Sequence, residues 1–482
     1  MIPVIDIFAG PGGLNEGFSS VLDESGNRIF ETKASIEMES NAIQTLRLRS
    51  AVRQTMQDGK LYPLYRDFMN GSATWEQLVN DEQFALGLER AEDEVFQIEL
   101  GEETREESDA IIAARVSSNE PWVLIGGPPC QAYSLVGRAR RRSDDLFYED
   151  KKHFLFREYL HIIQKFRPTL FVMENVKGLL SATSAKRSGF NMFEMIHKDL
   201  SLDGDYLIRS LVVADEEPKP SDFVIRAEKY GVAQRRHRVI LLGIRADSGV
   251  SVPVLEETPD GPTVGDVILG LPKVRSLVSP RRLDNPEEWA MARNKGRRHA
   301  DLGALHSAPP STGSPRAAYR AEDAKSALME WLVDPELDHL TLHEPRAHMP
   351  SDLVRYEYLA VKMKRDHERP TVKDLPEGLR PDHQNLKGDT TPFVDRFKVQ
   401  AADSPSSTVA SHISKDGHYY IHPDPDQMRS LTVREAARLQ SFPDNYFFCG
   451  NRTAQYHQVG NAVPPFLAHQ IGQQVARGLG KL

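Results

Sequence analysis

A cysteine stands at position 130, just past an apolar run and the turn residues Gly126, Gly127, Pro128 and Pro129. The prolines fix the backbone and remove donors, so the chain is stiff where the thiol emerges. A lone thiol is most often a packing group, but at a strand end after such a turn the sulfur is displayed, and a displayed thiol is a nucleophile. Arg138, Arg140, Arg141 and Arg142 follow it with positive charge that favours the thiolate. Forty-four residues beyond Cys130, Glu174 ends a second apolar run beside Asn175. A partly shielded carboxyl at that place is suited to donating a proton. Gln234, Arg236 and Arg238 occupy alternate positions before the apolar run 239–243, the spacing of one strand face, where two guanidiniums either clamp an anion or a carbonyl or form the salt bridges of an edge strand.

A fourth cluster opens the chain. Gly10, Gly12 and Gly13 follow the apolar residues 4–8 around Asp6, giving a turn without side chains where a ligand must come close. The spacing is not that of a dinucleotide fingerprint, because Asn15 stands at the third glycine position. A nicotinamide or flavin reading therefore loses support to another nucleoside cofactor. Glu37 ends the next strand 24 residues after Gly13, where an acidic side chain accepts hydrogen bonds from ribose hydroxyls.

These stretches need a scaffold that brings them together. Short β-branched runs at 4–8, 32–37, 122–125, 170–173, 207–213 and 239–243 alternate with amphipathic stretches such as 154–166, which predicts a parallel sheet with crossover helices. Ligands of such sheets lie at the carboxyl ends of the strands, so the glycine turn, Cys130 and Glu174 converge there. Beyond about residue 253 the alternation stops, and Pro, Gly, Arg and His become frequent through 425; a second, loop-rich domain is expected. Late in the chain, Thr432 and Glu435 form a capping box for a helix that Pro443 ends. Asn461 sits in a turn before Pro464.

With 482 residues, 40% hydrophobic and 27% charged, the chain is expected to be a soluble protein of at least two structural units. Its longest apolar runs are too short to span a membrane. Cys130 and Cys449 are the only cysteines, too few for a disulfide framework and suited to a reducing cytosol. No signal peptide is expected, since residues 2–8 already read as a strand. The net charge of −9 does not announce a nucleic-acid binder. Local charge is uneven: residues 89–107 hold nine acidic groups against two arginines, read as a surface insertion, while basic clusters at 138–142, 234–238 and 293–298 can meet phosphate.

In this order the motifs resemble those of the DNA cytosine-C5 methyltransferase family, from Asp6 to Pro465. The resemblance rests on Asp6 to Gly13 with Phe18, Glu37, Gly127 to Gln131, Glu174 to Val176, Gln234 with Arg236 and Arg238, Arg434 to Gln440, and Gly460 to Pro464. Ala132 and Tyr133, Ala233 and Met38 depart from the usual pattern. The family implies a Rossmann-like, mostly parallel sheet of the class I S-adenosylmethionine-dependent type, with a smaller, loop-rich target-recognition domain. By that reading residues 1–260 and 455–482 form the catalytic domain, with a polar insertion at about 70–118, and 261–454 the recognition domain. Cys130 would attack C6 of a flipped cytosine, Glu174 would protonate N3, and Arg236 and Arg238 would hold the base carbonyl and the catalytic loop.

The implied cofactor is S-adenosyl-L-methionine, released as S-adenosyl-L-homocysteine, with no metal. Phe8 would meet the adenine and Glu37 the ribose, with Gly10, Gly12, Gly13, Met38 and Asp67 around the nucleoside. Pro129, Leu155, Asn461 and Val463 would line the methionine end. DNA contacts are expected from Gln131, Ser134 and Arg138 on a closing loop, from Gln234, and from Arg281, Arg282, Lys295, Arg297, Arg298 and Thr408. The partner is duplex DNA, met by a cytoplasmic monomer that is nucleoid-associated when bound, with a companion restriction endonuclease possible but not required. A tRNA cytosine-C5 methyltransferase and a catalytically silent DNA- or cofactor-binding module are the alternatives.

Overall fold

The computed structural model describes residues 1–57, 59–117, 119–128, 155–181, 192–280, 284–320, 324–381 and 396–482. The chain divides into two compact units, Met1–Gly59 with Val79–Asp260 and Ala462–Leu482, and Lys60–Leu78 with Gly261–Asn461. The first unit thus closes at residue 260, while 60–78 and 455–461 join the second unit rather than the first.

The first unit is built on eight strands: β1 (Ile2–Ile7), β2 (Phe30–Glu37), β3 (Val95–Gln97), β4 (Val123–Gly126), β5 (Leu170–Val176), β6 (Tyr206–Arg209), β7 (Val224–Arg226) and β8 (His237–Arg245). Their order is β3-β2-β1-β4-β5-β8-β6, with β7 also on β8. The pairs from β3 to β5 are parallel, and β8 runs against β5, β6 and β7. The sheet is the mostly parallel, class I arrangement expected, with one correction: the apolar run 239–243 belongs to an antiparallel strand. A hydrophobic run fixes burial, not direction. Apolar side chains cover both faces, one cluster around Phe18, Val123, Leu242 and Leu467, the other around Trp122, Tyr159, Phe171 and Leu241.

The acidic stretch is not an insertion outside the core. It contributes β3, which extends the sheet beside β2 in the register Ser35↔Val95. Helices Glu82–Glu92 and Arg105–Ala113 flank that strand and bury Phe84, Ala91 and Ile112; most carboxylates of the stretch face outward, while Glu94 turns in to pair with Arg53 and Asp109 is buried against His161 and Lys165.

The helix after the glycine turn, Gly13–Ser19, packs on the carboxyl-terminal helix Pro465–Gly478. The approach is so close that a Cβ on Gly13 would stand 2.2 Å from the Val463 carbonyl oxygen. Backbone on both sides leaves nothing to give way. Gly13→Ala should therefore cost roughly 1–3 kcal/mol, read as a lower melting temperature of the purified protein; an unchanged transition would refute this contact.

The second unit gathers around Trp289, Leu353, Tyr356, Phe397 and Ile421. Thr432 and Glu435 form the capping box of helix Val433–Leu439. Three guanidiniums are sealed in around it. Arg429 pairs with Glu435 at 2.7 Å and Arg438 with Asp444 at 2.6 Å, while Arg434 donates to the carbonyls of Thr341, Pro443 and Tyr446. Removing one partner of such a sealed pair strands the other charge; these residues of the motif are architectural.

Buried imidazoles complete this unit. The Ser430 amide donates to His348 Nε2, and the Tyr356 hydroxyl shares a hydrogen bond with His418 Nδ1 at 2.7 Å. Burial holds the pKa values of His343, His348 and His418 below the ordinary range and pushes His422 down to about 3. These rings stay neutral in the fold, but in the unfolded chain they take up protons below about pH 6.5. The unfolded state then binds more protons, so their stabilisation is complete above that pH and is lost as pH falls toward the folded values, by up to about 1.4 kcal/mol per pH unit for each ring. Glu357 opposes them. Burial pushes its pKa up to about 8, so its contribution is fully present below about pH 4.5 and declines as pH rises through 8. Urea unfolding at pH 5 and 7 should show the second unit weaker at pH 5; equal stability would refute the neutral histidine set.

Candidate active site

The chain order places a topological switch point between β1 and β4: from β1 the strands run outward to β2 and β3, then return to β4 and β5 on the other side. A crevice opens beyond the carboxyl ends at such a point. The glycine turn after β1, the Gly127–Pro128 segment after β4 and Glu174 on β5 all lie at that edge.

Left-handed backbone makes the first turn. Gly10 and Gly12 have φ of 55° and 87°, and Phe8, at the end of β1, shares this conformation with φ 55°. A bulky residue there is strained, a condition that concentrates at functional sites. The Glu37 carboxylate bridges the strand ends: Oε2 accepts from the Gly10 amide at 2.8 Å, and Oε1 accepts from the amides of Met38 and Glu39, each at 2.9 Å. A carboxylate has about four acceptor positions, so three are used by the protein. Met38 is exposed beside it.

Two features of this turn had no signal in the residue pattern. Asn15, read as the missing third glycine, is a brace: its amide nitrogen donates to Ser35 Oγ at 3.0 Å and its oxygen accepts from Thr32 Oγ1 at 2.9 Å, locking the helix to β2. Glu16 lies on Arg49 of helix Ser40–Thr55 in a buried, two-pronged ion pair. Beneath the turn, Asp6 is sealed from solvent, with both carboxyl oxygens unpartnered among the described residues. Burial, then the nearby Glu37 charge, pushes its pKa well above the usual carboxylate range.

Glu174 and Arg238 meet because β8 is antiparallel: its beginning lies where β5 ends, with Val176 opposite Arg238. Arg238 Nε stands 2.6 Å from Glu174 Oε1, and both side chains are about 15% exposed. The other carboxylate oxygen lies against Gly127, where a Cβ would come within 2.9 Å of it. Glycine at 127 is what lets the segment leading to Cys130 pass over this carboxylate. Asn175 turns back to accept from the Val176 amide at 2.8 Å.

The strand face expected of Gln234, Arg236 and Arg238 is interrupted: Gln234–Arg235 is a short strand of its own, and the next, β8, begins at His237, so Arg236 falls between the two. The Gln234 amide donates to the Val232 carbonyl and the Arg236 amide to that of Gln234. Gln234 and Arg236 are buried.

The remaining expected residues divide. Val463 is buried in the first unit against Gly13, and Leu155 begins helix Leu155–Phe166 of the same unit. Asn461 ends helix Arg452–Asn461 of the second unit. Asp67 lies in helix Pro63–Asn70 of the second unit, where its carbonyl accepts from Ser72 and Ala73; in the first unit the third strand ends at Gln97. Arg297 is tied to the Gly303 carbonyl at 2.8 Å and faces Glu357 at 3.6 Å, whereas Lys295 and Arg298 are exposed. The Thr408 carbonyl accepts from the Tyr420 hydroxyl. Pro129, Cys130, Gln131, Ser134, Arg138, Arg281 and Arg282 lie outside the described residues.

Among the described residues, no helix is long and apolar enough to cross a membrane. Residues 94–477 match the family model for C-5 cytosine-specific DNA methylases. The chain is 34% identical to the type II methyltransferase M.Bpa9945I of Bacillus paralicheniformis, covering 98% of each, and 28% identical to the type II methyltransferase M.AgeI of Thalassovita gelatinovora, covering 75% of this chain and 84% of the relative. The fold is similar to that of a putative DNA modification methyltransferase of an E. coli prophage, with a TM-score of 0.56, 19% identity and full coverage of both chains. The chain belongs to the C-5 cytosine-specific DNA methylase family and is a DNA (cytosine-5)-methyltransferase.

Proposed function

We propose that the chain transfers a methyl group from S-adenosyl-L-methionine to C5 of a cytosine flipped out of duplex DNA, through a covalent bond from Cys130 to C6. The observation that carries this reading is the Glu174–Arg238 pair beside Gly127: an oriented carboxyl at a switch-point crevice, against a glycine that stands three residues before the thiol in the chain.

The turn fits a nucleoside donor. Gly10 is left-handed with nothing within 4 Å of where its Cβ would be, so backbone there stands open. Glu37 keeps one acceptor position for a ribose hydroxyl, and Phe8 would lie on the adenine. When bound, the donor supplies an electrophilic methyl. Cytosine C5 is a poor nucleophile, and the protein's work is to change that. The Cys130 thiolate adds to C6 while the Glu174 carboxyl gives its proton to N3, which leaves C5 an enamine carbon. C5 takes the methyl, and N3, which then carries positive charge, returns its proton to the Glu174 carboxylate; loss of the C5 hydrogen as a proton and return of the electron pair to sulfur free Cys130. Arg238 orients the carboxyl, and Arg236 would hold the base carbonyl. A base inside the helix is out of reach, so it must be extruded, at a cost of a few kcal/mol.

The second unit would read the sequence, with exposed Lys295 and Arg298 gripping phosphate or bases. The test compares labelled methyl transfer to duplex DNA and to tRNA. Label at C5 of duplex cytosines is expected, and bisulfite sequencing of DNA from an expressing host then reads the site. Transfer to tRNA alone, or to neither, would overturn the proposal.

A further inference from the structure

Phe68, Trp75 and Phe447 line a cavity of about 360 Å³ in the second unit, with Arg316 and Glu344 on its walls. Phe68 is the hub, its ring edge-on to Trp75 at 5.7 Å and to Phe447 at 5.3 Å. Arg316 is fixed on this hub: Nε donates to the Phe68 carbonyl at 2.8 Å, and the guanidinium carbon sits 4.9 Å from the ring centroid. Its terminal nitrogens have no partner among the described residues, and the half-buried Glu344 carboxylate has none either. Trp75 is 45% exposed at the rim. The volume falls in the range of small-ligand sites, about 300–1,000 Å³.

We propose that this cavity binds a guanine ring. Aromatic walls accept any flat π-system, but a donor fork and an acceptor in one cavity ask for a ring with both edges. Guanine offers O6 and N7 to a guanidinium and N1–H with N2–H₂ to a carboxylate. Adenine turns the acceptor N1 toward that carboxylate, and cytosine has only one ring to fill the space. A quaternary ammonium, the other usual guest of aromatic walls, is repelled by Arg316. The guanine belongs either to DNA or to a free nucleotide.

Full-length protein is titrated with GMP, AMP and CMP while tryptophan fluorescence is followed. In a second arm, duplexes with one guanine or one adenine opposite an abasic site compete for binding. Guanine is expected to bind about tenfold more tightly than adenine in at least one arm, and Glu344→Gln to remove that preference. A preference confined to the nucleotides assigns a free nucleotide; one confined to the duplexes assigns DNA. Should Glu344→Gln shift the melting transition, Trp75→Leu replaces it, with GMP or duplex binding read by calorimetry and expected to fall about tenfold. Absence of a guanine preference in both arms, or its survival in the substituted protein, would overturn the assignment.

Discussion

Cys130→Ser should abolish methyl transfer to duplex DNA, lowering the rate by at least about three orders of magnitude, while S-adenosyl-L-homocysteine still binds. The two effects separate because the groups do. The thiol is a strong nucleophile with a fraction ionised at neutral pH, and a serine hydroxyl at the same place is neither. The glycine turn and its Glu37 bridge are made of β1 and β2 backbone and one carboxylate, untouched by the substitution. A second readout is covalent. In DNA carrying 5-fluorocytosine, the fluorine at C5 cannot leave as a proton after methylation, so the bond from sulfur to C6 persists. Wild-type protein should form a denaturant-resistant complex with such DNA and Cys130→Ser none. Transfer at the wild-type rate, or a covalent complex in the variant, would remove the nucleophile from the mechanism.

Much of the first unit was legible because its strands are short runs that end on residues of another kind: Gly126 and Glu174 each stand where an apolar run stops, and Glu37 closes the mixed run 32–36. What stayed hidden had no such signature. In β3 only Val95 is fully buried, while Phe96 is half-covered and Gln97 exposed, so an edge strand inside an acidic stretch leaves too short a pattern to read. Strand direction is likewise absent from the sequence of β8, although it decides how Arg238 meets Glu174. Residues 60–78 follow a helix of the first unit in sequence yet pack in the second, with the Tyr65 hydroxyl on the Asn445 carbonyl; chain proximity alone did not reveal that. Asn15 shows the opposite error, a residue read for the glycine it replaces when its amide is the brace.

Glu174→Gln isolates the carboxyl. The amide is nearly isosteric, and its oxygen can still face the Arg238 guanidinium, which now stands 2.6 Å from the carboxylate. Its nitrogen can donate a hydrogen bond to N3, so the flipped base is still held. What it cannot do is surrender a proton as N3 gains electron density. Loss of a general acid typically removes about 10²–10⁴ of rate, and the loss should fall on kcat and on the single-turnover rate, with KM for DNA within a few-fold of wild type. A purely positioning role predicts otherwise. If Glu174 served only to anchor Arg238, then Glu174→Gln would leave that partner in place and the rate nearly intact, whereas Arg238→Leu would strand a desolvated carboxylate and disturb the site. Comparing the two variants under single-turnover conditions decides the matter: a normal rate in Glu174→Gln beside a damaged Arg238→Leu would reassign the carboxyl from proton donor to strut.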